Sequence, residues 1–188
     1  MWRKFFIGFS ALACLFSLAA AVSLSSNTMI SPWMPFSIAI IVAIASSFPF
    51  WKFWRRLTGT SGCMPNSLCH IIVVAIMLPA VFYILNYTCI DTSSIHPEKC
   101  IVIKKFYKTR HRTKRVSRHS YTKGEPYNEY YMEVLFENGL SKDLLIDRKS
   151  YTRLKSGTEI CLPVAEGLFN IPVIRHYGSV ITSDEKDS

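Results

Sequence analysis

Between Lys104 and Lys123 the chain carries Lys104, Lys105, Lys108, Arg110, Arg112, Lys114, Arg115, Arg118 and Lys123, and no acid. A run of ammonium and guanidinium groups this dense does one kind of chemistry well: it attracts anions. Beside an anionic membrane each such group adds about 1 kcal/mol of attraction, and nine of them exceed what solubility requires. The expected ligands are acidic lipid head groups, cell-surface glycans or an acidic protein partner. Nucleic acid is expected only if the run faces the cytoplasm. Phe106, Tyr107 and Tyr121 flank the run, where they could stack on bases or belong to a core. His111 and His119 lie within it and would gain charge near pH 6, but two histidines do not make a metal site. The competing reading of the whole run is a solvated, flexible loop joining two strands.

Other chemistry is not legible. There is no phosphate-cradling glycine loop, no G-x-S-x-G and no H-E-x-x-H, so neither an enzyme nor a cofactor or metal is expected. Asp143 and Asp147 read as polar strand positions rather than a catalytic pair. Cys89, Cys100 and Cys161 fall in the polar part of the chain, where an oxidising compartment would allow one disulfide. Cys89–Cys100 would close a short loop at the membrane exit; all three pairings, and three unpaired thiols, remain open. Cys14, Cys63 and Cys69 fit no zinc spacing. Asn86-Tyr87-Thr88 matches the glycosylation pattern but lies close to the expected bilayer. His70 falls near a helix end, at an interface.

The elements that must position these groups divide sharply. All thirteen Asp and Glu lie at or after Asp91, while Phe5 to Trp51 and Leu57 to Ile90 carry no Asp, Glu, Lys or Arg. A hydrocarbon core of about 30 Å takes roughly 20 apolar residues in a helix. Residues 5–23, 33–50 and 68–87 meet that length and must be helical to satisfy their backbones in lipid. The predicted organisation is a transmembrane region over 1–90, a β-rich domain over 91–182 and a disordered tail over 183–188. Arg3 and Lys4 precede the first helix, and Lys52, Arg55 and Arg56 follow the second. The positive-inside rule then sets the N-terminus in the cytoplasm and the β domain outside it. The run at Lys104 argues the other way but lies farther from the helix ends. A cleaved signal peptide is the alternative for the first segment, with Ala19, Ala20 and Ala21 as the cleavage site.

After Asp91 the apolar periodicity becomes two, the signature of strands. Strands are predicted over 100–107, 130–136, 142–147, 159–164 and 170–174, with a helical turn at 150–154 ended by Gly157. Asn138-Gly139 signals a hairpin. A three-residue loop with Gly139 left-handed is expected to set Val134 opposite Leu144 and Met132 opposite Ile146. Five short strands suggest a small closed barrel of the oligonucleotide-binding or SH3-like kind. A few helices followed by a small barrel resembles the layout of envelope proteins of the NfeD-like group; the likeness is architectural and assigns no site. The expected function is a non-enzymatic, membrane-anchored binding protein of the inner or plasma membrane, in contact with membrane lipids. It would be an immunity or accessory protein of an envelope complex, with a transporter or channel subunit as the alternative.

Overall fold

The computed structural model describes residues 2–118, 120–175 and 181–182; His119 and the tail at 183–188 lie outside them. The chain forms two compact units, one of residues 1–94 with 165–173, the other of residues 95–164 with the chain from 174 onward.

The first unit is built on three helices, α1 (Trp2–Ser25), α2 (Trp33–Thr58) and α3 (Cys63–Thr88). All three are long and apolar enough to cross a membrane by length and composition. At about 1.5 Å per residue each exceeds the roughly 30 Å of a hydrocarbon core. Both α2 and α3 are longer than the hydropathy pattern predicts. Trp51–Arg56 continue α2, which stops only where Gly59 takes φ 78° and donates its N–H to the Arg55 carbonyl, a left-handed C-cap. Pro65 stands in the first turn of α3, where no intrahelical N–H is needed.

Small side chains let the helices approach closely. Ala39 and Ala43 on α2 are buried, and Ala21 on α1 packs with Ala80 and Tyr83 on α3 amid Leu24, Ile30 and Phe36. The Tyr83 hydroxyl in this cluster has no hydrogen-bond partner among the described residues. An unsatisfied buried hydroxyl costs about 1–3 kcal/mol. Tyr83→Phe keeps the ring, so it should raise the unfolding midpoint of the purified chain in detergent. A fall in that midpoint would mean that the hydroxyl has a partner.

Residues 165–173 group with the helices although they follow most of the β strands in sequence. The Met29 N–H donates to the Pro172 carbonyl at 2.8 Å, and Thr28 bridges Val173. Asn86, fully buried near the end of α3, donates its side-chain amide to the Ile171 carbonyl at 3.1 Å and accepts from the Phe169 N–H at 3.1 Å. The amide of the glycosylation pattern is therefore a buried structural group.

The second unit is an antiparallel sheet. The sheet's strands are β1 (His96–Arg115), β2 (Tyr121–Phe136), β3 (Ser141–Ile146), β4 (Glu159–Glu166) and β5 (Pro172–Ile174), in the order β3-β2-β1-β4-β5, with a two-residue β6 (Ile181–Thr182) against β4; Ala165 and Glu166 of β4 and Pro172 and Val173 of β5 fall in the first unit. Helix α4 (Arg148–Arg153) is capped by Asp147, whose carboxylate accepts from the Ser150 and Lys149 N–H groups. The core is the inward face of the strands: Val102, Met132, Val134, Phe136, Leu144, Ile160 and Leu162, each at most 2% exposed.

Two expectations are corrected. Among the described residues the sheet is open and not a closed barrel: β3 and β5 are short and lie on opposite edges without pairing. The β2–β3 loop does have three residues, with Gly139 at φ 78°. It closes Phe136 onto Leu140, however, so Val134 pairs with Lys142, Met132 with Leu144 and Tyr130 with Ile146. The apolar residues keep their face but stand two places from the predicted register. Lys142 then falls on the core side at 9% exposure, where desolvation pushes its ammonium pKa down.

Candidate anion-binding ribbon

The basic run is strand rather than flexible loop. β1 continues through it to Arg115, and β2 pairs with it as far back as Tyr121. Residues of high β propensity, Phe106, Tyr107, Thr109 and Thr113, are interspersed with the cations and face Tyr131, Tyr130, Asn128 and Lys123. β3 leaves β2 at Tyr130, and β4 leaves β1 at Ile101. From Lys108 to Arg115 the hairpin is thus a two-stranded ribbon, about 25 Å long at roughly 3.3 Å per residue.

A free ribbon of two strands is marginal in water, and cross-strand pairs stiffen this one. Phe106 stacks on Tyr131 at 5.4 Å. Thr109 donates to the Asn128 side chain at 3.0 Å. Glu129 gathers the Tyr131 hydroxyl at 2.8 Å, the Tyr127 hydroxyl at 3.2 Å and Arg110 at 3.3 Å. The Tyr131 hydrogen bond, before the other contacts, holds the Glu129 carboxyl below its usual pKa. A register irregularity falls between His111 and Thr113. Gly124 permits it, since a Cβ there would lie 2.9 Å from the Arg112 carbonyl oxygen.

The nine cations are not equivalent. Lys104 pairs with Glu133 at 2.7 Å and Arg110 with Glu129. Lys105 points under the sheet, donating to the Tyr151 carbonyl at 2.7 Å and to the Leu154 carbonyl at the end of α4. Lys108 lies over the Tyr131 ring at 4.7 Å and the Phe106 ring at 5.4 Å. The far end differs. Arg112, Lys114, Arg118 and Lys123 are exposed and form no ion pair among the described residues. Arg115 braces the loop by donating to the Ser117 and Arg118 carbonyls at 3.0 and 2.9 Å, which leaves its charge uncompensated. From His111 to Gly124 there is no acid.

The other sequence candidates fall elsewhere. Phe106 is covered by Tyr131 and is no open stacking platform, whereas Tyr107 and Tyr121 are exposed. His111 is exposed, and no three metal-ligating side chains converge among the described residues. All six cysteines are free thiols in this structure. Cys89 is exposed, while Cys100 is in the β core with its Sγ directed at the Ile160 carbonyl. Burial first, and then Cys161, pushes the Cys100 thiol up to about 12, which suppresses the thiolate that exchange needs.

One polar cluster was not legible in the sequence. His70 is buried between α2 and α3, 6% exposed and stacked on Phe50 at 5.3 Å. The Trp54 N–H donates to its Nδ1 at 3.0 Å, and Nε2 stands 2.8 Å from the Ser46 hydroxyl. Indole nitrogen only donates, so the neutral ring carries its proton on Nε2. Both nitrogens are engaged, and neither offers a lone pair to a ligand. The spacing of Ser46, Phe50 and Trp54 by four is the signal, once α2 is known to run past Phe50. Against known proteins, the chain matches no family model, no curated protein and no solved structure.

Proposed function

We propose that this chain is a non-enzymatic, membrane-anchored binding protein. Its three apolar helices span the membrane with the N-terminus in the cytoplasm. Its β domain stands outside, where the ribbon serves as an arm for an acidic partner. The observation that carries this reading is the charge at the end of the ribbon. Five cations, Arg112, Lys114, Arg115, Arg118 and Lys123, share an ordered hairpin end without an acid among them. Like charges held this close repel one another, and an anionic ligand relieves the repulsion while gaining its own attraction.

The test is retention of the detergent-solubilised chain on immobilised polyglutamate. It should bind at low ionic strength and elute with salt, because exposed charges are screened over about 10 Å at 0.1 M. Replacing Arg112, Lys114, Arg118 and Lys123 by Gln, with Arg115 kept as the brace of the loop, should bring elution to much lower salt with an unchanged unfolding midpoint, since these four are exposed and form no ion pair among the described residues. Equal elution of the two proteins would sink the arm.

A second reading, a subunit of a transporter or channel complex, is favoured by an apolar cleft of about 530 Å³ in the helical unit, with Leu15, Leu18, Trp54, Leu57, Ile72 and Ile76 among its walls. A co-purifying multi-helix partner would support it. In either reading, an immunity or accessory role at the cell envelope is the setting the architecture suits.

A further inference from the structure

We infer that the ribbon end is a lipid-docking tip, which seats its cations among acidic head groups and inserts Val116 and Tyr121 into the interface. This rests on the anion-binding reading and names the partner within it. The apex is not merely basic. Val116 and Tyr121 are 65% and 63% exposed, one just after the end of β1 and the other at the start of β2. Large apolar groups exposed amid cations are poorly placed for water. They fit the boundary between head groups and acyl chains, where an aromatic ring with a polar end is favoured.

The distribution of charge points the same way. Side chains alternate across a strand, and Arg115 pairs with Tyr121, Lys114 with Thr122 and Thr113 with Lys123. Arg115, Tyr121 and Lys123 therefore share one face, while Lys114 takes the other. Cations on both faces of the end suit a hairpin entering a plane of head groups end-on. A rod-shaped polyanion lying along the ribbon would instead favour one continuous basic face. Near the sheet the outer face is closed to such a ligand, because Glu133 and Glu129 already hold Lys104 and Arg110. The described residues of the loop already bond one another: the Val116 N–H donates to the Ser120 carbonyl at 3.0 Å, and Arg115 ties down Ser117 and Arg118. Little order need be gained on docking.

The experiment places the full chain in phosphatidylcholine nanodiscs, which offer the tip no anionic lipid, and measures co-flotation with separate vesicles. Vesicles containing phosphatidylglycerol should capture the discs, and vesicles of phosphatidylcholine alone should not. Each cation at an anionic lipid surface is worth about fivefold in affinity. Replacing Arg112, Lys114, Arg118 and Lys123 together by Gln should therefore weaken capture roughly several hundredfold. A Val116→Ser, Tyr121→Ser variant retains every charge; it should weaken capture by these vesicles and leave retention on polyglutamate unchanged. Unchanged capture by this variant would overturn insertion. Retention on polyglutamate or heparan sulfate without preference for phosphatidylglycerol vesicles would overturn the lipid assignment and leave the anion-binding arm standing. Failure to bind any of these anions would remove both.

Discussion

Replacing Lys105 by Met is expected to lower the stability of the β unit by roughly 2–4 kcal/mol, whereas Lys114→Gln should change it by less than about 0.5 kcal/mol. The two residues are indistinguishable in the sequence, both lysines in the same basic run. In the structure Lys105 is half-buried on the inner side of β1. Its ammonium donates to two carbonyls at the C-terminal end of α4 and lies 4.9 Å from the Tyr151 ring centre. Charge-assisted hydrogen bonds are worth about 1.5–3 kcal/mol each. The cation also complements the negative end of a helix. Met fills the space of the stem but satisfies neither carbonyl. Lys114 has no such contacts and is exposed. Thermal unfolding of each variant in detergent, followed by hydrogen exchange at Tyr151 to Leu154, reads the difference. Comparable stability of the two variants would mean that Lys105 is one more free cation. The binding assay should show the converse pattern. Lys105→Met in its folded state retains polyglutamate affinity, while neutralising tip residues reduces it.

The division between Lys105 and the tip explains how far the sequence could be read. The three helices were legible because a long uncharged segment has few alternatives once backbone satisfaction is required. Their ends were not. Trp51, Lys52, Trp54, Arg55 and Arg56 look like an interface, yet a helix does not stop at polar side chains. It stops at Gly59, where a left-handed residue is available. The cations were legible as a charge run, but their strand conformation was hidden, because nine long polar side chains obscure the period of two that marks a strand. Only the tertiary pairing with Tyr121–Tyr131 reveals it. The hairpin register failed for a related reason. Seeking apolar partners for Val134 favours Leu144, and no pattern foretells a lysine stem covering Val134 from the core side. The unequal fates of Lys104, Lys105, Lys108 and Arg110 were likewise invisible, since each depends on a partner strand or helix.

The least legible feature carries the second large effect. Gly167→Ala should destabilise the helical unit by about 2–3 kcal/mol, and Asn86→Ala by a similar amount, but the double variant should be no worse than Asn86→Ala alone. A Cβ at Gly167 would overlap the Asn86 side-chain amide, well inside contact distance. A flexible side chain would normally move aside at small cost. Asn86 cannot, because it is fully buried and its amide bonds the Ile171 carbonyl on one side and the Phe169 N–H on the other. Any displacement breaks both bonds: the Phe169 N–H loses this acceptor, the Ile171 carbonyl is left with the Gly167 N–H, and the fully buried Asn86 amide loses its partners, at about 1–3 kcal/mol for an unsatisfied buried group. Removing Asn86 breaks the same bonds directly, and it also vacates the space that a methyl group added at Gly167 needs. The two costs are therefore one cost counted by two routes, and a double-mutant cycle should return a coupling of about −2 kcal/mol. Protease sensitivity of residues 165–173 and the detergent unfolding midpoint would report it. Additive losses would show that Gly167 is confined by something other than Asn86. Coupling of the expected sign would show that an asparagine near the end of α3 holds the segment leading into the last strands, through a contact some eighty residues distant in sequence.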